Sequence, residues 1–290
     1  MSTRTQLDDL MVRIEEMWGH LHTLFEDLNT SDGWDQKHGP DWTFADVPYH
    51  LTYFNRDLVV RSLELGLNHA KEEVEPLVTP ENLSDWNTSK LAQRPAYQTP
   101  LQSVSRWQVS CEEIYRLTAR LNDADLDQHL FWMPLLEGPV TIRRGLELCL
   151  NHDWSMFTQL RIHMGRTEPL PNPAITRGYL GSTIKSFPML LNKSVVNHQQ
   201  FTAVLAFADP GVGAWTIRVT DGAATAREGD ATNPDLVMTQ SAEAFEKYIR
   251  HIQTPGQAIQ AGEIQVSSFE SLDTFGQLFP MQNEYSTDLP

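Results

Sequence analysis

The 290-residue chain holds only two cysteines, Cys111 and Cys149, and only 22 Lys and Arg against 38 Asp and Glu. Two thiols are too few for a disulfide framework or a cysteine zinc cluster, which fits a reducing cytoplasm; each reads as a small buried hydrophobe. A net charge of −16 excludes a nucleic-acid backbone or an anionic membrane surface as partner, since no local basic patch offsets it. No run of about 18 apolar residues occurs, and the opening MSTRTQLDDL has no apolar signal core, so a soluble cytoplasmic protein without membrane insertion is expected. Internal repeats and low-complexity tracts are also missing, which removes solenoids and disordered scaffolds.

What is present divides into two grammars. Seven of the eight Trp precede residue 170 and nine of the sixteen Gly follow it, as when long helices give way to strands joined by turns. Between them Pro169, Pro171 and Pro173 predict a stiff extended linker. The expected domains are therefore a helical one over 1–168, a Pro-rich linker over 169–182, and an α+β one over 183–290.

Four segments of the first part place apolar residues at steps of three and four. They are about Thr5 to Leu28, Phe44 to Asn68, Leu101 to Leu121 and Thr141 to His163, with a long connection from Pro76 to Pro100. Thr43 or Asp46 is the N-cap of the second, and Pro48 in the first turn favours Asp46. Four amphipathic helices with one long crossover predict a four-helix bundle. In the second part, period-two patterning predicts strands Phe201 to Phe207, Ala214 to Thr220, Ala223 to Glu228 and Leu236 to Thr239, the middle two joined by the hairpin signal Asp221-Gly222. A helix to His251, another after Pro255, a strand Glu263 to Val266 and a helix Phe269 to Phe279 follow. This order predicts an antiparallel-rich sheet with helices packed on one face.

His152, Met156, Gln159 and His163 share one face of the fourth helix. A pair at i and i+4 on one helix, completed by His50 from another, is the geometry a metal needs from a rigid scaffold. The thioether of Met156 stands where a hard or borderline cation wants nitrogen or oxygen, so the set His50, His152 and Met156 is a degenerate one unless Glu147, Asp153 or His163 turns in. Asp153 is the better candidate for an outer hydrogen-bond partner of a ligand. His20 and His22 read as solvent-facing.

The runs Trp42-Thr43-Phe44-Ala45-Asp46-Val47-Pro48-Tyr49-His50-Leu51 and His152-Asp153-Trp154-Ser155-Met156-Phe157-Thr158-Gln159-Leu160-Arg161 resemble the DinB/YfiT superfamily of bundle proteins. The resemblance covers about residues 5 to 165. It implies a divalent-metal site with His50 and His152 as ligands, Gln159 as the trailing glutamine and Met156 in place of the third ligand, and it implies transferase or isomerase chemistry with a low-molecular-weight thiol. Residues 183 to 280 resemble the sterol carrier protein type two fold, most of all through Pro255-Gly256-Gln257-Ala258-Ile259-Gln260-Ala261-Gly262-Glu263-Ile264-Gln265-Val266. That resemblance implies an apolar pocket, with Leu205, Trp215, Ile217, Phe245, Tyr248, Ile249, Phe269, Phe275 and Phe279 as its lining. The domain order is similar to that of the mycothiol-dependent maleylpyruvate isomerase family.

Two functions follow from the residues. The first is a small-molecule binding protein that takes an apolar or lipid-like ligand into the C-terminal pocket, with the bundle metal site degenerate. The second is a divalent-metal-dependent thiol transferase or isomerase using a low-molecular-weight thiol. Exposed helix faces carrying Trp107 or Trp132 are the candidate surface for a homodimer.

Overall fold

The computed structural model describes the chain except residues 1–2, 38–41, 69–78, 80–81, 129–130, 134–137, 167–171, 197–199, 250–251 and 281–290. It divides into two compact units, Met1–Thr167 and Glu168–Ser286. A helical N-terminal region is followed by a sheet-containing C-terminal region. No helix of the described residues is long and apolar enough to cross a membrane.

In the first unit, α1 (Thr5–Thr30) buries Leu7, Leu10, Ile14, Met17, Leu21, Leu24 and Leu28, the stripe its spacing predicts. A 3-10 turn, Phe44–Asp46, leads into α2 (Val47–Phe54). Here the capping differs from the expectation: the Asp46 carboxylate accepts from Thr43 N and Oγ1, both at 2.8 Å, and pairs with Arg94 at 2.7 Å. It does not cap α2, because Thr43 already opens a 3-10 turn and the carboxylate turns back to close that box.

The second predicted helix is also not uniform. After α2 comes a π-helical turn, Asn55–Val60, and then α3 (Arg61–Leu67). A π turn carries an extra residue per hydrogen-bonded loop and is frequent at functional sites. The predicted connection contains a helix of its own, α4 (Leu83–Ala92), and is followed by α5 (Pro100–Thr118), started by the reciprocal Thr99–Gln102 capping box. A short α6 (Asp125–Gln128) and a two-stranded antiparallel ribbon, β1 (Phe131–Met133) with β2 (Gly138–Val140), precede α7 (Ile142–His163), whose N-cap Thr141 accepts from Arg144 N. α7 packs on α1, on α3 and on the π turn, while α2 packs on α5. The α3–α7 approach is close: a Cβ on Gly66 would run into Ile142, and one on Gly145 would stand 3.2 Å from Ser62 Cβ.

The second unit opens with α8 (Pro173–Ser186), where an extended linker over 169–182 was predicted. The proline signal has a different meaning here. Asn172 accepts from Ala174 N at 2.9 Å and Pro173 occupies the first helical turn, so the Asn-Pro pair starts a helix; residues 167–171 of the expected linker lie outside the described ones. Strands β3 (Phe201–Phe207), β4 (Gly213–Thr220), β5 (Ala223–Glu228), β6 (Leu236–Gln240) and β7 (Ile264–Val266) form one sheet in the order β5-β4-β3-β6-β7. The sheet is mixed, since β3 and β6 run parallel while the other pairs are antiparallel. Asp221 and Gly222, at φ 52° and 79°, make the tight β4–β5 turn that needs positive φ at both positions. Helices α9 (Ala242–Ile249), α10 (Pro255–Gln260) and α11 (Phe269–Leu278) complete the unit. Residues 250–251 of the helix expected to reach His251 lie outside the described ones.

Candidate functional site

The first unit brings together the two histidines that the sequence singles out. His50, on α2, and His152, on α7, face each other Nε2 to Nε2 at 2.8 Å, although 102 residues separate them. His50 is 2% exposed, whereas the His152 side chain keeps 14% of its surface open. Aromatic rings hold both. Phe54 lies flat on His152, with centroids 3.5 Å apart and 4° between planes, and Trp42 meets His50 edge-on at 4.8 Å.

Each imidazole is anchored on its far nitrogen. His50 Nδ1 lies 2.5 Å from Tyr53 Oη, and that hydroxyl donates to Asn87 Oδ1 at 2.9 Å, all three groups being buried. His152 Nδ1 lies 3.4 Å from Asp153 Oδ1, and Asp153 Oδ2 accepts from Trp18 Nε1 at 2.8 Å. One hydrogen-bonded chain thus runs Trp18–Asp153–His152–His50–Tyr53–Asn87 across four helices. Asp153 is fully buried, and burial pushes its carboxyl up to about 7; the hydrogen bonds from Trp18 and from Cys149 Sγ pull the other way and are outweighed.

Beside the pair, the π turn delivers Asn55 into the interior. Its Nδ2 donates to Ser110 Oγ at 3.1 Å, and its Oδ1 lies 3.8 Å from Cys149 Sγ. Cys111 and Cys149 are buried, as expected, and burial, reinforced by the neighbouring Asp153 carboxylate, pushes both thiols well above their ordinary range.

The remaining candidates are placed as follows. Met156 is 1% exposed, one turn beyond His152. The Gln159 amide donates to Ser155 Oγ at 3.0 Å. His163 is exposed, with Nδ1 2.9 Å from Gln159 O, and Glu147 pairs with Arg144 at 3.7 Å, so neither joins His50. His20 and His22 are about two-fifths exposed, beside Glu16 and Glu26.

Sequence reasoning missed Tyr53, Asn87, Trp18, Phe54 and Asn55. Tyr53 carried a signal, standing at i+3 from His50 on the same helix. Asn87 carried none, since its helix lies in what reads as a connection.

With this geometry in view, the comparisons with known proteins are informative. Residues 13–156 match the profile of the DinB superfamily. This stretch is a DinB superfamily domain. It includes His50 and His152 and ends on Met156. Over 92% of this chain and 96% of the other, the fold is similar to that in "Crystal structure of the mycothiol-dependent maleylpyruvate isomerase", at 11% identity and a TM-score of 0.53. A histidine-to-alanine mutant of that isomerase matches over the same shares, at 11% identity and a TM-score of 0.51. At such identity the likeness is one of fold. No curated protein matches the chain in sequence.

The DinB resemblance implies a divalent metal, and the residues can be tested against it. Among the described residues no three His, Cys, Asp or Glu side chains gather as a metal-ligand group. Two nitrogens on one tetrahedral zinc, each at about 2.0–2.1 Å from it, stand about 3.4 Å apart. The His50–His152 separation of 2.8 Å is that of a hydrogen bond. With a thioether at the next turn as third donor, the set does not fit a divalent centre of nitrogen and oxygen ligands.

The second unit packs its aromatic rings against one another. Phe187, which sequence reasoning left out, lies 5.9–6.3 Å from Phe245, Phe275 and Phe279, and Phe207 meets Trp215 and Phe245 edge-on. Of the predicted lining, Leu205, Trp215, Ile217, Phe245, Tyr248, Phe275 and Phe279 are buried and Ile249 is half-buried. Phe269 departs from the expectation at 66% exposed: Ser268 caps α11 through Ser271 N, so Phe269 occupies the first helical position, off the stripe of Phe275 and Leu278. Trp107, a candidate for a dimer surface, is 1% exposed and edge-on to Phe25, which removes it from any such surface; Trp132 is 44% exposed.

Proposed function

We propose that the DinB domain is the catalytic part of a thiol-dependent isomerase or transferase that uses a low-molecular-weight thiol. The observation that carries this reading is the His50–His152 contact, a buried pair of imidazole nitrogens anchored at both far ends and reached from solvent on the His152 side.

A thiol becomes a nucleophile as its thiolate, so the site must take a proton from sulfur and hold the resulting charge. An imidazole pair can do both, one ring accepting and the other donating. The chain's own thiols are buried and held protonated, so the reacting sulfur comes from outside. Similarity in fold to an isomerase that depends on mycothiol supports the reaction class. The substrate of that neighbour is not carried over.

The test is a turnover assay of the full chain with small thiols and a conjugated carbonyl electrophile, comparing His50→Ala and His152→Ala. Acceleration by the unmutated protein, lost by about 100-fold or more in either variant, is the expected result. Equal rates in all three proteins would overturn the reading.

A further inference from the structure

Resting on the thiol reading of the same site, we infer that Tyr53 and Asn87 are positioning residues that fix where the proton of the histidine pair sits, making His50 the base and His152 the donor toward the incoming sulfur.

The argument follows one hydrogen at a time. A tyrosine hydroxyl has one proton, and that of Tyr53 is donated to Asn87 Oδ1 at 2.9 Å. Toward His50 Nδ1, at 2.5 Å, the same oxygen therefore accepts, so Nδ1 carries the hydrogen. A neutral imidazole has a single N–H, which leaves Nε2 of His50 bare. The 2.8 Å contact then requires His152 to donate through Nε2–H, and its Nδ1 becomes the lone-pair nitrogen that faces Asp153. Asn87, on α4, thus decides a proton position on α7 through two intermediate side chains.

In the resting pair the two nitrogens satisfy each other. A thiol that parts them meets an acceptor on one side and a donor on the other. The S–H bond breaks, its proton goes to His50 Nε2, the electron pair stays on sulfur, and the thiolate accepts from His152 Nε2–H. The opposite tautomer would present an N–H from His50, the ring that is buried, and leave no base beside the donor. His152, the partly open ring, is the one positioned to hold the thiolate at the solvent side.

Long-range proton–nitrogen NMR of the imidazoles, at a pH where they are neutral, reads the tautomers without any substrate. The expected result is Nδ1–H for His50 and Nε2–H for His152; Nε2–H on His50 would overturn the inference. In Asn87→Leu the Tyr53 hydroxyl loses that acceptor and turns to His50 Nδ1, so the proton of His50 should move to Nε2, and kcat with a small thiol should fall by about 100-fold with little change in KM. An unchanged tautomer in that variant would overturn the role of Asn87. Asn87→Asp keeps an acceptor and should keep the native tautomer, which makes it the check if Asn87→Leu fails to fold; loss of Nδ1–H in Asn87→Asp would equally overturn the inference. Native tautomers together with no thiol turnover would leave the proton arrangement standing and remove the thiol reading.

Discussion

Trp18 Nε1 donates to Asp153 Oδ2 at 2.8 Å, tying the first helix of the DinB domain to the last. The bond is made inside the protein, where the carboxylate has lost its water, so the tie and the electrostatic cost occupy the same residue.

That cost gives a pH dependence with a definite sign. Asp153 titrates near 3.8 when the chain is unfolded and at about 7 when folded, so between these values the folded state holds a proton that the unfolded state has lost. Stability contributed by this residue is full below about pH 4 and falls as pH rises to about 7, by an amount on the order of 4 kcal/mol. Asp153→Asn removes the titration and keeps an oxygen for Trp18. Thermal unfolding of both proteins across this range should show the variant gaining on the unmutated protein as pH rises; parallel curves would mean that Asp153 is not buried as described.

A substitution at Met156 tests how much of a metal scaffold remains. His152 and Met156 stand one turn apart on α7, so Met156→His places a third imidazole beside the His50–His152 pair. Zinc affinity should rise by orders of magnitude and reach one metal per chain, read by elemental analysis after dialysis. The pair must open from 2.8 Å to about 3.4 Å to bind, a small movement for side chains. Absence of binding by a folded variant would show that α2 and α7 do not hold ligand geometry.

The helices were legible where burial has a period. Strand β3 begins and ends where alternation does, and α1 and α7 follow their apolar stripes closely. His50 and His152 were legible as candidates because a histidine on an apolar helix face has few reasons to be there. What escaped is what periodicity cannot encode. The π turn changes the phase of a helix without changing its composition, so Asn55 reads as one more residue of a continuous helix. The α4 segment is polar enough to pass for a loop, which concealed Asn87. Three prolines in five residues suggest extension, yet a proline after an asparagine cap is also a way to begin a helix, and only the tertiary structure distinguishes the two.

The α3–α7 contact predicts a steric penalty at Gly66. An added Cβ would stand 2.5 Å from Ile142 Cγ1 and closer still to its Cδ1. Alanine favours a helix over glycine by about 1 kcal/mol, but overpacking costs about 1–3 kcal/mol and Ile142 is fully buried with little room to yield. Gly66→Ala should therefore lower the denaturant midpoint, and a stabilised variant would show that the two helices separate at no cost.

In the second unit the exposures of two phenylalanines separate a packed interior from a rim. Phe245 is 1% exposed and lies ring to ring with Phe187 and Phe207, so Phe245→Ala should cost about 3–5 kcal/mol. Phe269 is 66% exposed, and Phe269→Ser should stay within about 0.5 kcal/mol of the unmutated protein. Chemical denaturation of the two variants gives both numbers. If Phe269→Ser cost as much as Phe245→Ala, the ring would have to be covered in solution, by a ligand or a second molecule, and the apolar-ligand reading of this unit would gain the support that exposure at the start of α11 now denies it.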